Sequence, residues 1–240
     1  MTLDDLVKQL KAAHGDRLLG VVVYGSTAAD PSAPKGHNVL VVVRSLDIVA
    51  MQAAGAIARA WQDAGNDAPL TLSEAEWRSS ADVFAIEHAD IAERHRVLFA
   101  SGGFMPTARG AVRDADIRHQ LEYESLALTL AVRSAIATVG NDAKAQRAVL
   151  AAQASHAVAL MRATLRLAGG PVVGDAESVC RAAASLAGFD PDPFLAALRQ
   201  RRGAGDVPKA DVAATLDGFH AGLARLVVWL DEHRAPSKSH

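Results

Sequence analysis

The sequence predicts an α+β protein, in which an N-terminal α/β domain with a small mixed sheet precedes a C-terminal all-α helical bundle. Two apolar, β-branched runs, Leu18–Tyr24 and Asn38–Val43, are too short for helices and too uniformly apolar for strands with one wet face, so we expect buried central strands. The C-terminal half is rich in alanine at helical spacing. Glycine and proline between residues 102 and 110 predict a boundary between domains 1–105 and 106–240.

The N-terminal elements follow from caps and periodicity. Thr2 with Asp5 predicts the start of a first helix, which Gly15 ends. A second helix is predicted from Ser45 to about Ala64, and it is expected to bury one face. The residues assigned to that face are Ile48, Met51, Gly55 and Ala58.

Shorter elements complete the predicted N-terminal domain. Residues 70–72 are predicted as a short strand, and Ser73 with Glu76 forms a capping-box pattern that opens a short helix. Residues 83–86 and 96–99 are also predicted as strands.

The C-terminal part is predicted to be helical throughout. Its first long helix shows apolar residues on one face and stops at Gly140: Ile117, Leu121, Leu128, Val132, Ala135 and Val139. Further helices are predicted at about residues 142–168, 175–187, 192–202 and 209–233.

Composition excludes several function classes. A net charge of −2 gives no electrostatic reason to expect nucleic acid or an anionic membrane as a partner. The single cysteine, Cys180, excludes an intramolecular disulfide and suits a reducing, cytoplasmic location, and its neighbours predict a buried helix face. The sequence contains no signal-peptide pattern and no apolar run that approaches the ~20 residues of a membrane span.

The predicted turn after the first strand carries the first functional signal. Gly25 and Ser26 leave the strand Leu18–Tyr24, and about a dozen residues later the second buried strand begins. A small-residue turn allows a ligand to approach the backbone, and free N–H groups there suit phosphate.

This arrangement resembles the nucleotidyltransferase superfamily, the polymerase-β-like fold that includes the antibiotic nucleotidyltransferases. The resemblance implies that Gly25, Ser26 and Asn38 lie in a nucleotide site, where the Gly-Ser turn holds the triphosphate. It also implies that the C-terminal bundle helps to form an acceptor cleft and can supply a general base.

The sequence departs from the family pattern at its metal ligands. The family's Asp-x-Asp falls on Gly36 and Asn38, with His37 between them. Magnesium prefers anionic oxygen at about 2.0–2.1 Å, and two-metal phosphoryl transfer needs carboxylates that hold both ions. We therefore expect a nucleotidyltransferase-like protein that has lost its chemistry and uses the interdomain cleft to bind a ligand or a partner.

Six acidic or basic positions are further candidates. Glu87, expected to end the strand 83–86, and then Asp90 are candidates for the third, catalytic carboxylate that the resemblance implies; the structural alternative is a pair of solvated side chains. His88 and His95 have no recognised metal-ligand spacing and are predicted as surface histidines.

On the acceptor side the candidates are Glu122, Glu124 and Arg118, with Arg113 nearby.

The acceptor-side residues also have a structural explanation, because Arg118 and Glu122 have the i,i+4 spacing of an ordinary helix-surface pair. In a second hypothesis the protein is an active transferase that moves a nucleotidyl group from an NTP to a small hydroxyl or amine acceptor. Magnesium would then be its cofactor, held by Glu87 or Asp90 with help from Asp30.

A third possibility is a toxin–antitoxin type interaction. The spacing of Arg113 and His119 is that of a helical ribonuclease motif found in some toxin partners of nucleotidyltransferases, although at this helix content such a spacing also arises by chance. No Walker A lysine, Gly-x-Gly-x-x-Gly, Gly-x-Ser-x-Gly elbow or zinc spacing is present in the sequence. The oligomeric state stays open, a homodimer included.

Overall fold

The computed structural model describes residues 1–25, 28, 36–107, 112–170 and 174–233. The chain forms two compact units, Met1–Asp116 and Ile117–His240. The first contains the sheet and the second is helical, so the predicted α+β class is confirmed. The predicted domain boundary between residues 105 and 106 stays a prediction.

The sheet unit contains the following elements: α1 Leu3–His14, β1 Leu18–Tyr24, β2 Asn38–Val43, α2 Ile48–Asp63, β3 Leu70–Ser73, α3 Glu74–Ser79, α4 Ala85–Glu93 and β4 His95–Ala100. Among the described residues the strand order is β3-β2-β1-β4. β1 pairs antiparallel with β2 and β4, whereas β2 pairs parallel with β3. The sheet is therefore mixed, and β1 and β2 are its two central strands, as predicted.

Both faces of the sheet are covered. On one face Val21, Val23 and Val41 pack with Leu6 of α1 and Trp61 of α2. On the other face the core residues are Leu19, Val22, Leu40, Val42, Trp77 and Ile91, the last two from α3 and α4. Burial on both sides explains why the two central strands are continuously apolar instead of alternating.

The predicted N-cap at Thr2 and the predicted capping box at Ser73 are both present, and the first is also a capping box. The Thr2 Oγ1 accepts a hydrogen bond from the Asp5 N–H at 3.1 Å, and the Asp5 carboxylate accepts one from the Thr2 N–H. Ser73 and Glu76 make the same reciprocal pair at the start of α3, at 3.2 and 2.7 Å. Local sequence determines these helix starts because the partners lie three residues apart.

The predicted buried face of α2 is wrong. Asp47, not Ser45, caps the helix, and Ile48 and Met51 are 62% and 50% exposed. The helix instead buries Ala50, Ile57 and Trp61, because it packs on the sheet through the stripe that contains the large tryptophan ring.

The predicted strand 83–86 is also wrong. Its last two residues open helix α4, which buries Ala85, Ile86, Ala89 and Ile91. A short apolar run has no periodicity that separates a buried strand from a buried helix. Residues 85–86 belong to a helix because α3 and α4 are needed to cover the second face of the sheet.

The helical unit contains the remaining helices: α5 Asp114–Val139, which begins in the sheet unit, α6 Ala143–Leu167, α7 Ala176–Ala187, α8 Asp192–Arg202 and α9 Val212–Glu232. α6 packs against α7, α8 and α9. By length and composition alone α6 could cross a membrane, but 56% of its most apolar window is buried inside the protein, as in an ordinary core helix. Cys180 of α7 is fully buried, as predicted, and burial raises its pKa to about 12.

Candidate functional site

The candidate site begins at the end of β1. Gly25 has φ +76°, a left-handed conformation that favours glycine. Its N–H donates to the carbonyl oxygen of Arg94 at 3.1 Å. The first amide of the predicted phosphate turn is therefore already bonded, contrary to the expectation of free N–H groups. Ser26 and Asp30 lie outside the described residues.

Asn38 lies beside this glycine. It is the first residue of β2 and is paired with Tyr24, the last residue of β1. A Cβ atom added to Gly25 would come within 3.2 Å of the Asn38 side-chain nitrogen. Gly25 and Asn38 are thus brought together at one end of the two central strands, and their role in nucleotide binding stays a prediction.

The segment before Asn38 is held by buried contacts. Gly36 has φ +81°. The His37 N–H donates to Asn66 Oδ1 at 3.1 Å, and the Asn66 side chain donates to the Trp61 carbonyl at 3.3 Å. The His37 ring is buried and stacks on Trp61 with centroids 6.1 Å apart. These contacts hold the backbone at position 37, between the two positions where the sequence analysis expects the family's aspartates.

Tyr24 is the centre of an acidic environment that sequence reasoning missed. Burial raises the pKa of its phenol well above the usual value, and the nearby carboxylates of Glu87, Asp90 and Asp67 raise it further, in that order. Because residues paired across strands project to the same face, Asn38 shares this environment. The only sequence signal was a phenol that ends an otherwise apolar strand.

Glu87 and Asp90 therefore lie near the predicted nucleotide side, but not where the sequence placed them. Glu87 is in the first turn of α4 and does not end a strand, and Asp90, further along the same helix, is buried. Helix α4 therefore carries both carboxylates, close enough to Tyr24 to raise its pKa. Their predicted catalytic role stays a prediction.

The donor set does not fit the two-metal pattern. Gly36 offers no side chain, and Asn38 offers a neutral amide where hard cations prefer carboxylate oxygen. Across the part of the chain that the structure describes, no group of three or more His, Cys, Asp or Glu side chains is arranged to hold a metal ion.

His88 is buried, so its predicted surface position is wrong. It is 3% exposed, its ring stacks on Trp77 with centroids 3.9 Å apart, and its Nε2 lies 3.1 Å from Ser80 Oγ. Burial lowers the His88 pKa to about 4. The side chain is therefore a neutral part of the core, and His95, half-buried, lies 2.6 Å through its Nδ1 from the Ile91 carbonyl.

The three acceptor-side candidates lie in the helical unit, and each has structural partners there. Arg118 donates to the carbonyl oxygens of Leu230 and His233 at 3.3 and 2.6 Å, at the C-terminal end of α9, and pairs with Glu122 at 3.4 Å. These bonds satisfy carbonyls that a helix leaves open. Arg118 thus stabilises a helix end, and a further acceptor role stays untested.

Glu124 joins α5 to α6. Its carboxylate accepts from Gln120 at 2.7 Å and lies 3.0 Å from His156 Nε2. Burial alone would raise the Glu124 pKa, but the hydrogen bonds of His156 and Gln120 outweigh it and hold the pKa below its usual value.

Arg113, the residue of the ribonuclease-like spacing, is engaged with Asp116 through two hydrogen bonds of 2.7 and 2.6 Å. That bidentate ion pair gives the residue an ordinary structural role at the start of α5.

No protein-family model and no curated protein matches the sequence. Among solved structures, the chain is similar to the spectinomycin adenyltransferase AAD(9) from Enterococcus faecialis, whose crystal structure was determined with ATP and spectinomycin. The TM-score is 0.56 at 12% sequence identity, and the match covers 93% of this chain and 100% of that chain. At this identity the likeness shows the fold alone, which is a nucleotidyltransferase-like α+β fold.

Proposed function

We propose that this protein uses its nucleotidyltransferase-like fold to bind a nucleotide or a related small ligand without catalysing metal-dependent nucleotidyl transfer. The observation that carries the proposal is that the sequence has Gly36 and Asn38, with no carboxylate, at the positions that we align with the family's two metal-binding aspartates. The predicted place of the ligand between the two domains stays a prediction.

The backbone at position 36 adds a physical reason. Its φ of +81° lies in the left-handed region, where a residue with a Cβ is strained by roughly 1–2 kcal/mol. This conformation suits glycine and opposes an aspartate. Asn38 provides only a neutral oxygen, so neither position offsets the charge of a divalent ion.

Ligand binding is supported by the fold and by the geometry around Gly25. The related adenyltransferase was determined with ATP and a small-molecule antibiotic. In this chain Gly25 and Asn38 lie together at the end of the central strands, where a glycine leaves room for a ligand close to the backbone.

A second candidate function is an active, magnesium-dependent transferase that acts on a small hydroxyl or amine acceptor. The observation in its favour is the set of carboxylates near Tyr24, from Glu87, Asp90 and Asp67. If these side chains hold magnesium, the ion would balance phosphate charge, and Glu87→Gln should abolish activity.

The two candidates are separated by nucleotide binding in magnesium and in chelator, together with a pyrophosphate-release assay on a panel of small alcohols and amines. We expect ATP or GTP to bind equally well in both conditions, with no pyrophosphate released. Magnesium-dependent release that Glu87→Gln removes would establish the active transferase instead. Absence of nucleotide binding in either condition would overturn the proposed ligand class.

A double variant, Gly36→Asp with Asn38→Asp, tests the correspondence with the family motif. Added beside Glu87 and Asp90, two carboxylates should repel one another in chelator and lower the melting temperature, and Mn²⁺ or Mg²⁺ should recover it. The matched control is Gly103→Asp with Asn141→Asp, since Gly103 also has a positive φ, of +73°, and open space around it. A metal response equal to that of the control would show that positions 36 and 38 do not face the acidic residues.

A further inference from the structure

The sheet unit contains a small cavity away from the candidate site. Its volume is about 190 Å³, and it is walled by α3 and by the segment that follows β4. Its side-chain lining combines two aromatic rings, a thioether, an ion pair and a hydroxyl: Trp77, Phe104, Met105, Glu74, Arg78 and Thr107. This combination of apolar rings and few polar groups is typical of small-molecule sites.

The cavity lies toward the start of β1. The Phe104 ring is seated on Gly20, where an added Cβ would come within 2.3 Å of it. Gly20 precedes Gly25 by five residues, which corresponds to roughly 17 Å along an extended strand. The cavity is therefore separate from the end of β1 and β2 where Gly25 and Asn38 meet.

The size of the cavity restricts its occupant. An apolar cavity of about 150 Å³ holds a benzene-sized molecule, whereas pockets for drug-sized ligands measure roughly 300–1,000 Å³. At about 190 Å³ this cavity accommodates one planar ring system and excludes a complete nucleotide.

Trp77 provides a surface that suits such a ring. The side chain is buried, and His88 covers one face of it with ring centroids 3.9 Å apart. The cavity can therefore meet only the other face or the edge of the indole, and both form favourable contacts with an aromatic ring. Trp61 offers an internal comparison, because it is buried too, and the Nε1 atoms of both tryptophans lack a hydrogen-bond partner among the described residues, but Trp61 does not line the cavity.

The lining also gives access from solvent without favouring either charge. Met105 is 67% exposed, and the Arg78 side chain is 75% exposed, so a ligand can enter past them. The flexible thioether of methionine adapts to ligands of different outline. Arg78 Nη2 lies 2.5 Å from Glu74 Oε1, so the two charges of the lining offset each other.

We propose that this cavity binds a small, uncharged, planar aromatic or heteroaromatic molecule against the rings of Trp77 and Phe104, with Met105 at its opening. The proposal goes beyond the nucleotide-binding function and does not rest on it, because the two places are separate and suit different ligand chemistry. Indole is the probe, and benzoate and benzylammonium are the charged comparison compounds.

The first test follows the indole N–H signals of the three tryptophans in ¹H–¹⁵N spectra while indole is added. The signals are assigned with Trp61→Phe and Trp229→Phe. We expect the Trp77 signal to shift, since its ring lines the cavity, and the signals of Trp61 and Trp229 to stay.

The second test measures indole affinity by calorimetry in variants of the opening. Met105→Lys should weaken binding about tenfold or more, because an apolar ligand would remove water from the new ammonium group. Met105→Leu should keep the affinity within about twofold, since it conserves volume and polarity. The matched control is Met51→Lys, at an exposed methionine of α2 that does not line the cavity, and it should bind indole like the wild type.

Several results would overturn the proposal. These are no indole binding, a shift of Trp61 or Trp229 with Trp77 unchanged, and equal affinity in Met105→Lys and the wild type. Tighter binding of benzoate that Arg78→Gln removes would assign the cavity to an anion instead. A dimer in sedimentation that Met105→Lys dissociates would show that a second copy of the chain fills it.

Failure of this proposal and failure of the proposed function give different results. If indole binds but no nucleotide does, the cavity stands and the nucleotide function falls. If ATP binds and indole does not, the nucleotide function stands and the cavity is not a ligand site. Displacement of indole by ATP would contradict the separation of the two places.

Discussion

The sheet unit and the helical unit both bury polar side chains, but they satisfy them differently. In the helical unit, Thr129 and Thr164 donate to carbonyl oxygens four residues earlier in their own helices, at 2.8 and 2.9 Å. In the sheet unit, the His37 N–H and Asn66 Oδ1 bond across 29 residues of sequence, and His88 reaches Ser80 from another element.

This difference shows where function is to be sought. A hydroxyl bonded within its helix contributes to that helix whether or not a ligand is present. Polar groups that long-range contacts gather at one end of a sheet need a specific tertiary arrangement, and such arrangements are found at binding sites. The end of β1 and β2 meets this description.

The two units also share a packing device. A Cβ added to Gly20 would come within 2.3 Å of the Phe104 ring, and one added to Gly222 within 2.4 Å of the Phe194 ring. Each unit therefore uses a glycine to seat a phenyl ring, in a strand in one case and in α9 in the other.

The largest expected effect is the loss of a core ring from the helical unit. Phe194 is 1% exposed and contacts Phe189 and Phe219, so Phe194→Ala should destabilise the helical unit by about 3–5 kcal/mol. Denaturant unfolding is followed with single-tryptophan variants that keep Trp229 in the helical unit or Trp61 in the sheet unit.

An equal shift of the unfolding midpoint at both tryptophans would show that the two units unfold as one. It would weaken the contrast between the sheet unit and the helical unit. A shift of the Trp229 probe alone would sharpen it. Leu186→Ala, at a partly exposed position of α7, is the control and should cost less than about 1 kcal/mol.

The next effect is an acid-dependent loss of stability in the sheet unit. Burial holds the His88 pKa near 4, below its ordinary value of 6.5. Above pH 6.5 His88 is neutral in both states and its contribution is complete. As the pH falls from 6.5 toward 4, the unfolded chain binds a proton that the folded protein does not, and up to about 3 kcal/mol is lost.

Stability curves between pH 7.5 and 4 should therefore be flatter in His88→Gln than in the wild type. The exposed His119→Gln serves as the control and should keep the wild-type slope. A wild-type slope in His88→Gln would mean that His88 titrates normally and is not held neutral by burial.

A smaller effect tests the glycine–phenyl contact in the sheet. Gly20→Ala should cost about 1–3 kcal/mol because its Cβ would overlap the Phe104 ring, and Phe104→Leu should recover part of that loss. Gly55→Ala in α2 is the matched control, since its Cβ would meet only an arginine nitrogen at 3.5 Å. It should stabilise the helix by about 0.5–1 kcal/mol, as measured by urea unfolding.

The smallest expected effect concerns the polar link between α5 and α6. A double-mutant cycle of Glu124→Gln and His156→Ala should give a coupling of no more than about 1 kcal/mol, because His156 is 42% exposed. The Glu124 pKa, followed by carboxyl NMR, should rise in His156→Ala because one hydrogen bond that lowers it is removed. A coupling well above this limit would place a specific polar site in the helical unit too.

Much of the fold could be predicted from the sequence because local or one-dimensional patterns specify it. Continuous β-branched runs predict β1 and β2, and residues three apart predict the starts of α1 and α3. The absence of carboxylates at Gly36 and Asn38 is likewise a property of the sequence alone. These features need no knowledge of distant contacts.

Only the tertiary structure decided the surroundings of the site. Residues 83–86 carry no pattern that separates strand from helix, and the need to cover the second face of the sheet selects α4. The burial of His88 on Trp77 and the carboxylates of Glu87 and Asp90 near Tyr24 then follow from that helix. Arg96 is an ordinary strand residue in the sequence. In the sheet it pairs with Val23, and the Nε and Nη2 atoms of its guanidinium are buried without an acceptor among the described residues.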